Sequence, residues 1–255
     1  MIKKNLEDKS VKIIDSHVHL GDSRVTTGRA TEESLLKDIE INNLFGMCVL
    51  PLPEPYPDSF TLHNRIDAMS KANPGKFWGV IDINPRHDDD EYNAEVARCV
   101  NDLGFVAVKM HPYLESTKPH DRHAVKIYEA AIRHNIPMIV HTGMGVPQAL
   151  PSMMIKIAKK YPELVIVLAH SGGPMYFDEA VAVASMFDNV FLETSQCSPH
   201  QIRGGINELG ASKLMFGSDG GTKYQLDGVL ALGIPDGDLE QYLSGTAIDV
   251  FKLKF

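Results

Sequence analysis

Two histidines separated by a single residue stand in the segment IDSHVHLG, at His17 and His19. Alternate side chains of a β-strand point to the same face, so these imidazoles would lie on one face, about 7 Å apart along the strand. Their neighbours Ile14, Val18 and Leu20 would take the other face and pack toward helices. Neutral imidazole is a good ligand for Zn²⁺ and similar ions, so the pair predicts a metal site.

Further ionisable side chains stand at the ends of other apolar runs. The runs FVAVKMH, PMIVH, LVIVLAH and LMFGSD end with Lys109, His111, His141, His170 and Asp219. Side-chain alternation predicts that Lys109 shares a face with His111, and that His170 shares one with Ile166 and Leu168. If these runs are parallel strands of a barrel, their ends meet at its carboxyl-terminal mouth, where active sites of such barrels lie.

The elements that must position these side chains follow a regular order. Eight short β-type runs alternate with amphipathic stretches of helical spacing, and the first helix is predicted near residues 31–44 with Thr31 as its N-cap. Strand–helix–strand units lie side by side, and eight of them can close on themselves. The sequence therefore predicts an α/β fold: a (β/α)₈ TIM barrel, as a single domain over residues 1–255. An open doubly wound sheet is the competing fold, but such a sheet typically carries a glycine-rich phosphate loop after its first strand.

The composition and charge of the chain argue against several classes of protein. The chain has 255 residues with 44% hydrophobic and 23% charged residues, typical of a globular domain. Its formal net charge of −8 argues against non-specific binding of nucleic acid. No apolar run reaches the ~18 residues of a membrane helix, and the first residues lack a signal-peptide pattern. With the widely spaced cysteines Cys48, Cys99 and Cys197, these features predict a cytoplasmic protein with no membrane partner.

Five motifs in order carry a family resemblance: IDSHVHLG, VKMHP, PMIVHTG, VIVLAHSGG and LMFGSD. Together they resemble the amidohydrolase superfamily, and within it the amidohydrolase 2 branch, which includes metal-dependent hydrolases and the aminocarboxymuconate-semialdehyde decarboxylase group. The resemblance covers nearly the whole chain, from Ile13 to Phe251. It implies a distorted TIM barrel with a metal in its mouth.

The resemblance also implies a set of metal ligands, namely His17, His19, His141 and Asp219. One divalent ion is expected; this ligand set suits Zn²⁺, while Mn²⁺, Co²⁺ or Fe²⁺ would fit. Such an ion lowers the pKa of its bound water toward about 7. By the same resemblance His170 is a general acid/base or a polariser of substrate and water, and Asp219 can ligate the metal or accept the proton of the water.

Lys109 is open to two interpretations. In two-metal amidohydrolases a lysine on the fourth strand is carboxylated and bridges the metals, so Lys109, with His111, leaves room for a second metal. An unmodified Lys109 would instead bind a substrate carboxylate. Other candidates for that role lie in loops at the mouth: Arg24, Arg29, Arg86 and Lys223.

Three functions remain open on these observations. The first is a metal-dependent hydrolase that acts on an amide, lactone or ester bond of a small polar substrate. The second is a non-oxidative decarboxylase of a small carboxylated substrate at the same site. The third is a barrel that binds metal or ligand without turnover, which His170 and the full ligand set argue against. Many relatives are dimers, so a homodimer is a further expectation.

Overall fold

The computed structural model describes residues 11–22, 29–52 and 58–255. Within these ranges the strands are β1 Ile14–Asp22, β2 Arg29–Ala30, β3 Gly46–Pro51, β4 Phe77–Ile81, β5 Ala107–Met110, β6 Met138–His141, β7 Ile166–Ala169, β8 Val190–Glu193 and β9 Leu214–Met215. The α-helices are α1 Glu32–Asn42, α2 Ser59–Ala72, α3 Asp89–Asn101, α4 Arg122–His134, α5 Ile155–Lys160, α6 Gly173–Met186, α7 Pro199–Leu209, α8 Thr222–Leu230, α9 Asp236–Glu240 and α10 Thr246–Phe251. A π-helical turn, Gln241–Gly245, joins α9 to α10.

The strands form one curled sheet in the order β2-β1-β3-β4-β5-β6-β7-β8-β9. Apart from β2, which pairs antiparallel with β1, the neighbours are parallel. The sheet closes where Ser16 donates its backbone N–H to the carbonyl of Phe216 at 3.0 Å, and Asp219 donates to the carbonyl of His17 at 2.9 Å. The eight-stranded parallel barrel confirms the predicted fold over the open sheet. The short β2 was not predicted.

Two apolar layers, one on each face of the sheet, hold the barrel together. Inward-facing side chains such as Ala107, Val167 and Ala169 form a small cluster inside the barrel. Outward-facing ones such as Val108 and Leu168 join a much larger cluster with the helices. The alternation along β5 and β7 is the pattern expected of strands that are buried on both faces.

Strand β1 departs from simple alternation. Its pairing register with β3 shifts between Asp15 and Val18. As a result Ile14 lies in the inner cluster, whereas Val18 packs with Leu20 in the outer one. The prediction that Ile14 packs toward helices was therefore wrong, because an irregularity in a strand resets which face later residues take.

Local sequence signals set several helix ends. Thr31 caps α1 as predicted: its hydroxyl accepts from the backbone N–H of Ser34 at 3.1 Å, and Ser34 Oγ accepts from Thr31 N at 2.9 Å. Ser198 and Gln201 form the equivalent capping box at the start of α7. Such caps satisfy backbone donors that a helix leaves free at its first turn. Among the described helices, none has the length and apolar character needed to cross a bilayer.

A buried polar cluster joins α2 to α3 on the outside of β4. His63 Nδ1 donates to Glu95 Oε1 at 2.7 Å, and His63 Nε2 accepts from the backbone N–H of Asp82 at 3.1 Å. Arg98 donates two hydrogen bonds to Glu95 at 2.7 and 2.8 Å, and Cys99 lies 3.4 Å from Glu95 Oε1. Although His63, Glu95 and Cys99 could in principle hold a metal, these hydrogen bonds and the guanidinium already occupy the donor atoms.

We predict that Glu95→Gln destabilises the fold by about 2 kcal/mol at neutral pH, because hydrogen bonds to charged groups contribute roughly 1.5–3 kcal/mol each. Hydrogen bonds from His63 and Arg98 lower the pKa of Glu95 to about 2 against the opposing effect of burial. Since that folded-state pKa lies below the ordinary value of 4.5, the stabilisation is present above pH 4.5 and is lost as the pH falls toward 2. Urea unfolding across this range measures it.

Glu91→Gln is the matched control, because Glu91 lies on the same helix, is half exposed and pairs with His87 in an exposed contact. Its loss should change the free energy of unfolding by less than about 0.5 kcal/mol. Equal effects of the two substitutions at pH 7 would contradict the assignment of the Glu95 cluster as a stabilising network.

Candidate metal centre

The carboxyl-terminal end of the barrel opens into a cavity of about 380 Å³. This volume suits a small molecule. Most of the predicted site residues line the cavity: His19, Arg29, Lys109, His111, His141, His170 and Asp219. His17 is fully buried beside it, with its Nε2 3.3 Å from the Nζ of Lys109. The structure therefore brings together side chains from six strands, β1, β2, β5, β6, β7 and β9, or from the segments that follow them.

Three ligand atoms from opposite ends of the chain converge in this mouth. One atom from each of His17, His19 and Asp219 lies within 4.8 Å of the others, and His19 Nε2 is 3.3 Å from Asp219 Oδ1. Tetrahedral zinc with bonds of about 2.0–2.1 Å places its ligands roughly 3.3 Å apart, so this donor set fits a divalent ion. The residues around it orient the donors: His19 Nδ1 donates to the carbonyl of Pro51 at 3.0 Å, and Gln196 donates to Asp219 Oδ2 at 2.8 Å.

His141 lies beside His170 in the mouth. Its ring centroid is 4.8 Å from that of His170 and 4.0 Å from that of His111, on which it stacks. Its Nε2 is 2.8 Å from the carbonyl of Met144. Burial, followed by the charge of Lys109, lowers the pKa of His141 to about 4, which leaves it neutral and able to bind a metal. The close ligand groups found among the described residues do not include His141.

His170 reaches the mouth through an unusual backbone turn. The predicted face shared with Ile166 and Leu168 was wrong, because those two side chains pack outward. After Ala169 the chain enters a short turn in which His170 and Ser171 have φ of 60° and 46°. This turn directs the imidazole inward, where it stacks on His17 with ring centroids 4.8 Å apart.

A close approach of two loops supports this turn. A Cβ on Gly143 would come within 2.6 Å of the carbonyl oxygen of Gly172, so no larger residue fits there. Thr142 Oγ1 accepts from Gly172 N at 2.8 Å and donates to the carbonyl of Ala169 at 2.7 Å. The loops after β6 and β7 are thereby held against each other, and with them His141 and His170.

Strained backbone is concentrated around this mouth. His170, Ser171, Gln196 and Asp219 all have positive φ, between 46° and 64°. Such conformations cost non-glycine residues free energy and persist where the surrounding contacts hold them. Their clustering supports a functional role for the loops that follow β7, β8 and β9.

Lys109 lies inside the barrel with almost no exposure. Burial lowers the pKa of its ammonium group, against the opposing pull of Asp82 and Asp219. The carboxyl groups of Asp82 and Glu115 are also buried, and burial raises the pKa of each. The predicted pairing of Lys109 with His111 on the cavity side is confirmed, since both line it.

The loop cations predicted to bind substrate fall in different places. Arg29 lines the cavity and lies 3.8 Å from Asp22 in an exposed ion pair. Arg86 instead donates to the carbonyl of Ser116 at 2.6 Å, and Lys223 pairs with Asp227 at 2.6 Å on the surface. Neither Arg86 nor Lys223 is among the residues that line this cavity. Arg24 lies outside the described residues.

Two residues at the end of β8 were missed by sequence reasoning. Glu193 contacts His17, and Ser195 contacts His170, at 2.7 Å in both cases. A signal was available in the run VFLET, where an acidic residue ends an apolar strand as the other site residues do. Asp15 accepts from the backbone N–H groups of His17 and Ser218, at 3.2 and 3.0 Å, and so joins β1 to the segment after β9.

Comparison with known families identifies this arrangement. The family model Amidohydro_2, described as amidohydrolase, matches residues 56–253. The chain belongs to the amidohydrolase 2 family. The matched range holds His141, His170 and Asp219, whereas the pair His17 and His19 lies before it.

The relatives of this amidohydrolase 2 chain differ in reaction. A 2-keto-4-carboxy-3-hexenedioate hydratase from Sphingobium is 24% identical over 196 residues, which cover 62% of this chain and 56% of the hydratase. The chain thus matches little more than half the length of that relative. A TIM-barrel protein from Bordetella bronchiseptica has a TM-score of 0.75 at 20% identity, with 95% and 99% of the two chains covered.

A third similar protein contains a metal. The structure of 5-carboxyvanillate decarboxylase from Novosphingobium aromaticivorans, complexed with manganese, has a TM-score of 0.73 at 13% identity and covers 96% of this chain and 97% of its own. At such identities the likeness establishes the fold alone. That neighbour holds a divalent metal, and the donor atoms in the mouth of this chain fit one.

Lys109→Met tests which of its two roles Lys109 has. An unmodified ammonium group 3.3 Å from His17 Nε2 repels a cation at that nitrogen, so its removal should tighten Zn²⁺ binding about tenfold or more. A carboxylated Lys109 that binds metal would give the opposite result, with weaker binding and fewer equivalents. Zn²⁺ titration with a competing chelator measures both the affinity and the number of equivalents bound. Lys223→Met, an exposed lysine away from the cavity, should leave the affinity unchanged.

Proposed function

We propose that this protein is a metal-dependent hydrolase that cleaves an amide, lactone or ester bond of a small carboxylated substrate. The observation that carries the proposal is the convergence of His17, His19 and Asp219 at the barrel mouth, with His170 stacked on His17. A ligand set that leaves positions open to solvent is typical of catalytic rather than structural metal sites.

His17, His19 and Asp219 would hold the ion, and we propose His141 as a further ligand. Imidazole nitrogen and carboxylate oxygen suit Zn²⁺ and also Mn²⁺, Co²⁺ or Fe²⁺. When bound, such an ion supplies Lewis acidity, which polarises a substrate oxygen and makes water a better nucleophile at neutral pH. We propose one ion rather than two, because the carboxylate of Glu193, which also lies next to His17, is already occupied by hydrogen bonds.

His170 would act as the general acid/base. Its Nδ1 lies 2.7 Å from Ser195 Oγ, which leaves Nε2 to take or give a proton. Burial and the neighbouring His17 lower its pKa well below the ordinary value, which keeps the imidazole in its neutral form at pH 7. Asp219 has a second oxygen, held by Gln196, that would share this role.

Lys109 and Arg29 would recognise a substrate carboxylate from two sides of the cavity. Lys109 is buried at the inner end, and Arg29 is exposed at the rim. A cation in a water-poor cavity favours a negatively charged ligand. The names of the hydratase relative and of the decarboxylase neighbour, both of which denote carboxylated compounds, support this substrate class.

Non-oxidative decarboxylation is the second candidate. It is favoured by the similarity to a decarboxylase that contains manganese and by the cations available for a substrate carboxylate. In that reaction the Nε2 of His170 would take a proton from water and pass it to the carbon that loses carbon dioxide. The two reactions are distinguished by their products, since only decarboxylation releases carbon dioxide.

The test begins with metal analysis of protein purified without chelator or nickel affinity. We expect about one equivalent in the wild type, and its loss in His19→Ala and Asp219→Asn. His87→Ala is the matched control, because His87 is not among the residues that line the cavity and contacts Glu91. Absence of metal in the wild type, even after reconstitution, would exclude this function and favour a metal-free enzyme or a binding barrel.

The loaded protein should then be assayed with lactones, amides and esters that carry a carboxylate, and with carboxylated aromatics. His170→Gln should retain the metal but lose roughly 10²–10⁴-fold in kcat, as expected for removal of a general acid/base. Release of carbon dioxide in place of acid would favour the second candidate. Full activity of His170→Gln would contradict the assignment of His170 as the acid/base.

A further inference from the structure

We propose that Glu193 is a positioning residue that fixes the protonated nitrogen of two imidazoles, directly for His17 and through Ser195 for His170. The inference rests on the proposed function in one respect, namely that His17 holds the metal and His170 transfers the proton. It adds that one residue at the end of β8 orients both the metal ligand and the acid/base.

Glu193 is fully buried and accepts hydrogen bonds from several donors. Its Oε2 accepts from His17 Nδ1 at 2.7 Å, from Ser195 Oγ at 2.9 Å and from the backbone N–H of His170 at 3.1 Å. Its Oε1 accepts from the backbone N–H of Ser195. A buried carboxylate needs such partners, since burial of an unpaired charge is costly.

The direction of these hydrogen bonds determines both tautomers. A carboxylate only accepts, so His17 must carry its proton on Nδ1. Ser195 Oγ donates its one proton to Glu193, and it must therefore accept from His170 Nδ1, which lies 2.7 Å away. Both imidazoles are held as Nδ1–H forms, and both Nε2 atoms keep their lone pairs.

These lone pairs are where the proposed chemistry needs them. The 3.3 Å contact of Lys109 Nζ with His17 Nε2 is consistent with an Nε2 that accepts, as a metal ligand must. A carboxylate behind a histidine ligand also increases the basicity of the ring and fixes its orientation. Because the rings of His17 and His170 stack with centroids 4.8 Å apart, a shift of Glu193 would disturb both.

The barrel interior is shaped around this carboxylate. A Cβ at Gly217 would lie 2.2 Å from Glu193 Oε1, so only glycine leaves room for it. Gly217→Ala therefore displaces the carboxyl group without altering its chemistry. This second way of disturbing Glu193 separates the effect of its position from that of its charge.

The experiment combines Zn²⁺ titration with ¹⁵N NMR of the histidine side chains in the metal-free protein. In the wild type we expect Nδ1–H tautomers for His17 and His170. Glu193→Gln and Gly217→Ala should weaken Zn²⁺ binding 10- to 100-fold, the usual effect of losing a residue that orients a metal ligand. Ser195→Ala should leave Zn²⁺ affinity within about twofold but remove the fixed tautomer of His170 alone.

Thr194→Val is the matched control. Thr194 is buried next to Glu193, and its hydroxyl bonds to the carbonyl of Met215 and to Tyr242. It contacts neither histidine, so both tautomers and the Zn²⁺ affinity should stay as in the wild type. Thermal unfolding of every variant identifies any substitution that acts by destabilising the barrel. If Glu193→Gln or Gly217→Ala does so, the tautomers of the wild type and of Ser195→Ala still test whether Glu193 fixes the two imidazoles.

Two results would overturn the inference while leaving the proposed function intact: Nε2–H tautomers in the wild type, or unchanged Zn²⁺ affinity in folded Glu193→Gln and Gly217→Ala. A second equivalent of Zn²⁺ that is lost only in Glu193→Gln would also overturn it, because Glu193 would then be a ligand. A wild type that binds none of Zn²⁺, Mn²⁺, Co²⁺ and Fe²⁺ would exclude the proposed function, and the role of Glu193 in metal binding with it.

Discussion

The closure of the barrel between β1 and the segment after β9 is the constraint on which the site depends. Ser16 and Phe216 make one hydrogen bond of this closure, and His17 and Asp219 make the other. Because the second bond joins the backbones of two proposed ligands, the same contact that completes the sheet sets the distance between their side chains. The donor atoms of the site therefore come from opposite ends of the sequence and exist as a group only in the closed barrel.

The sequence was informative where the backbone is regular. Alternation placed Lys109 inside the barrel because β5 has no irregularity, and the order of apolar runs predicted the barrel itself. It failed at Ile14, where the register of β1 shifts, and at His170, where the chain leaves β7 through a left-handed turn. Both errors arise from local backbone geometry that depends on tertiary contacts and that residue spacing does not encode.

Glu193 shows a different limit. An acidic residue at the end of an apolar run is recognisable in the sequence, but its partners come from β1, from the turn after β7 and from the loop after β8. The predictions for the cations near the mouth differ in outcome for the same reason. Arg29 lines the cavity, whereas the guanidinium of Arg86 donates to the carbonyl of Ser116. Loop residues are positioned by long-range contacts, and these contacts determine which of the cations lines the cavity.

The interior of this barrel is unusually polar at its carboxyl-terminal end. Burial raises the pKa of Asp15 to about 7, and in the described part of the chain one oxygen each of Asp82 and Glu115 lacks a hydrogen-bond partner. Such groups cost stability, which the apolar clusters on both faces of the sheet offset. These destabilising groups lie in the same region as the proposed chemistry, as is common for active sites.

The fit between Gly217 and Glu193 has a consequence for the history of the family. Since any side chain at position 217 would collide with the carboxylate, the two positions are expected to vary together among homologues. A lineage that acquired alanine at 217 would be expected to have a shorter or uncharged residue at 193, and to orient its imidazoles by another route. The pair thus offers a two-residue marker for dividing the family by how its histidines are held, independently of the loops that select substrate.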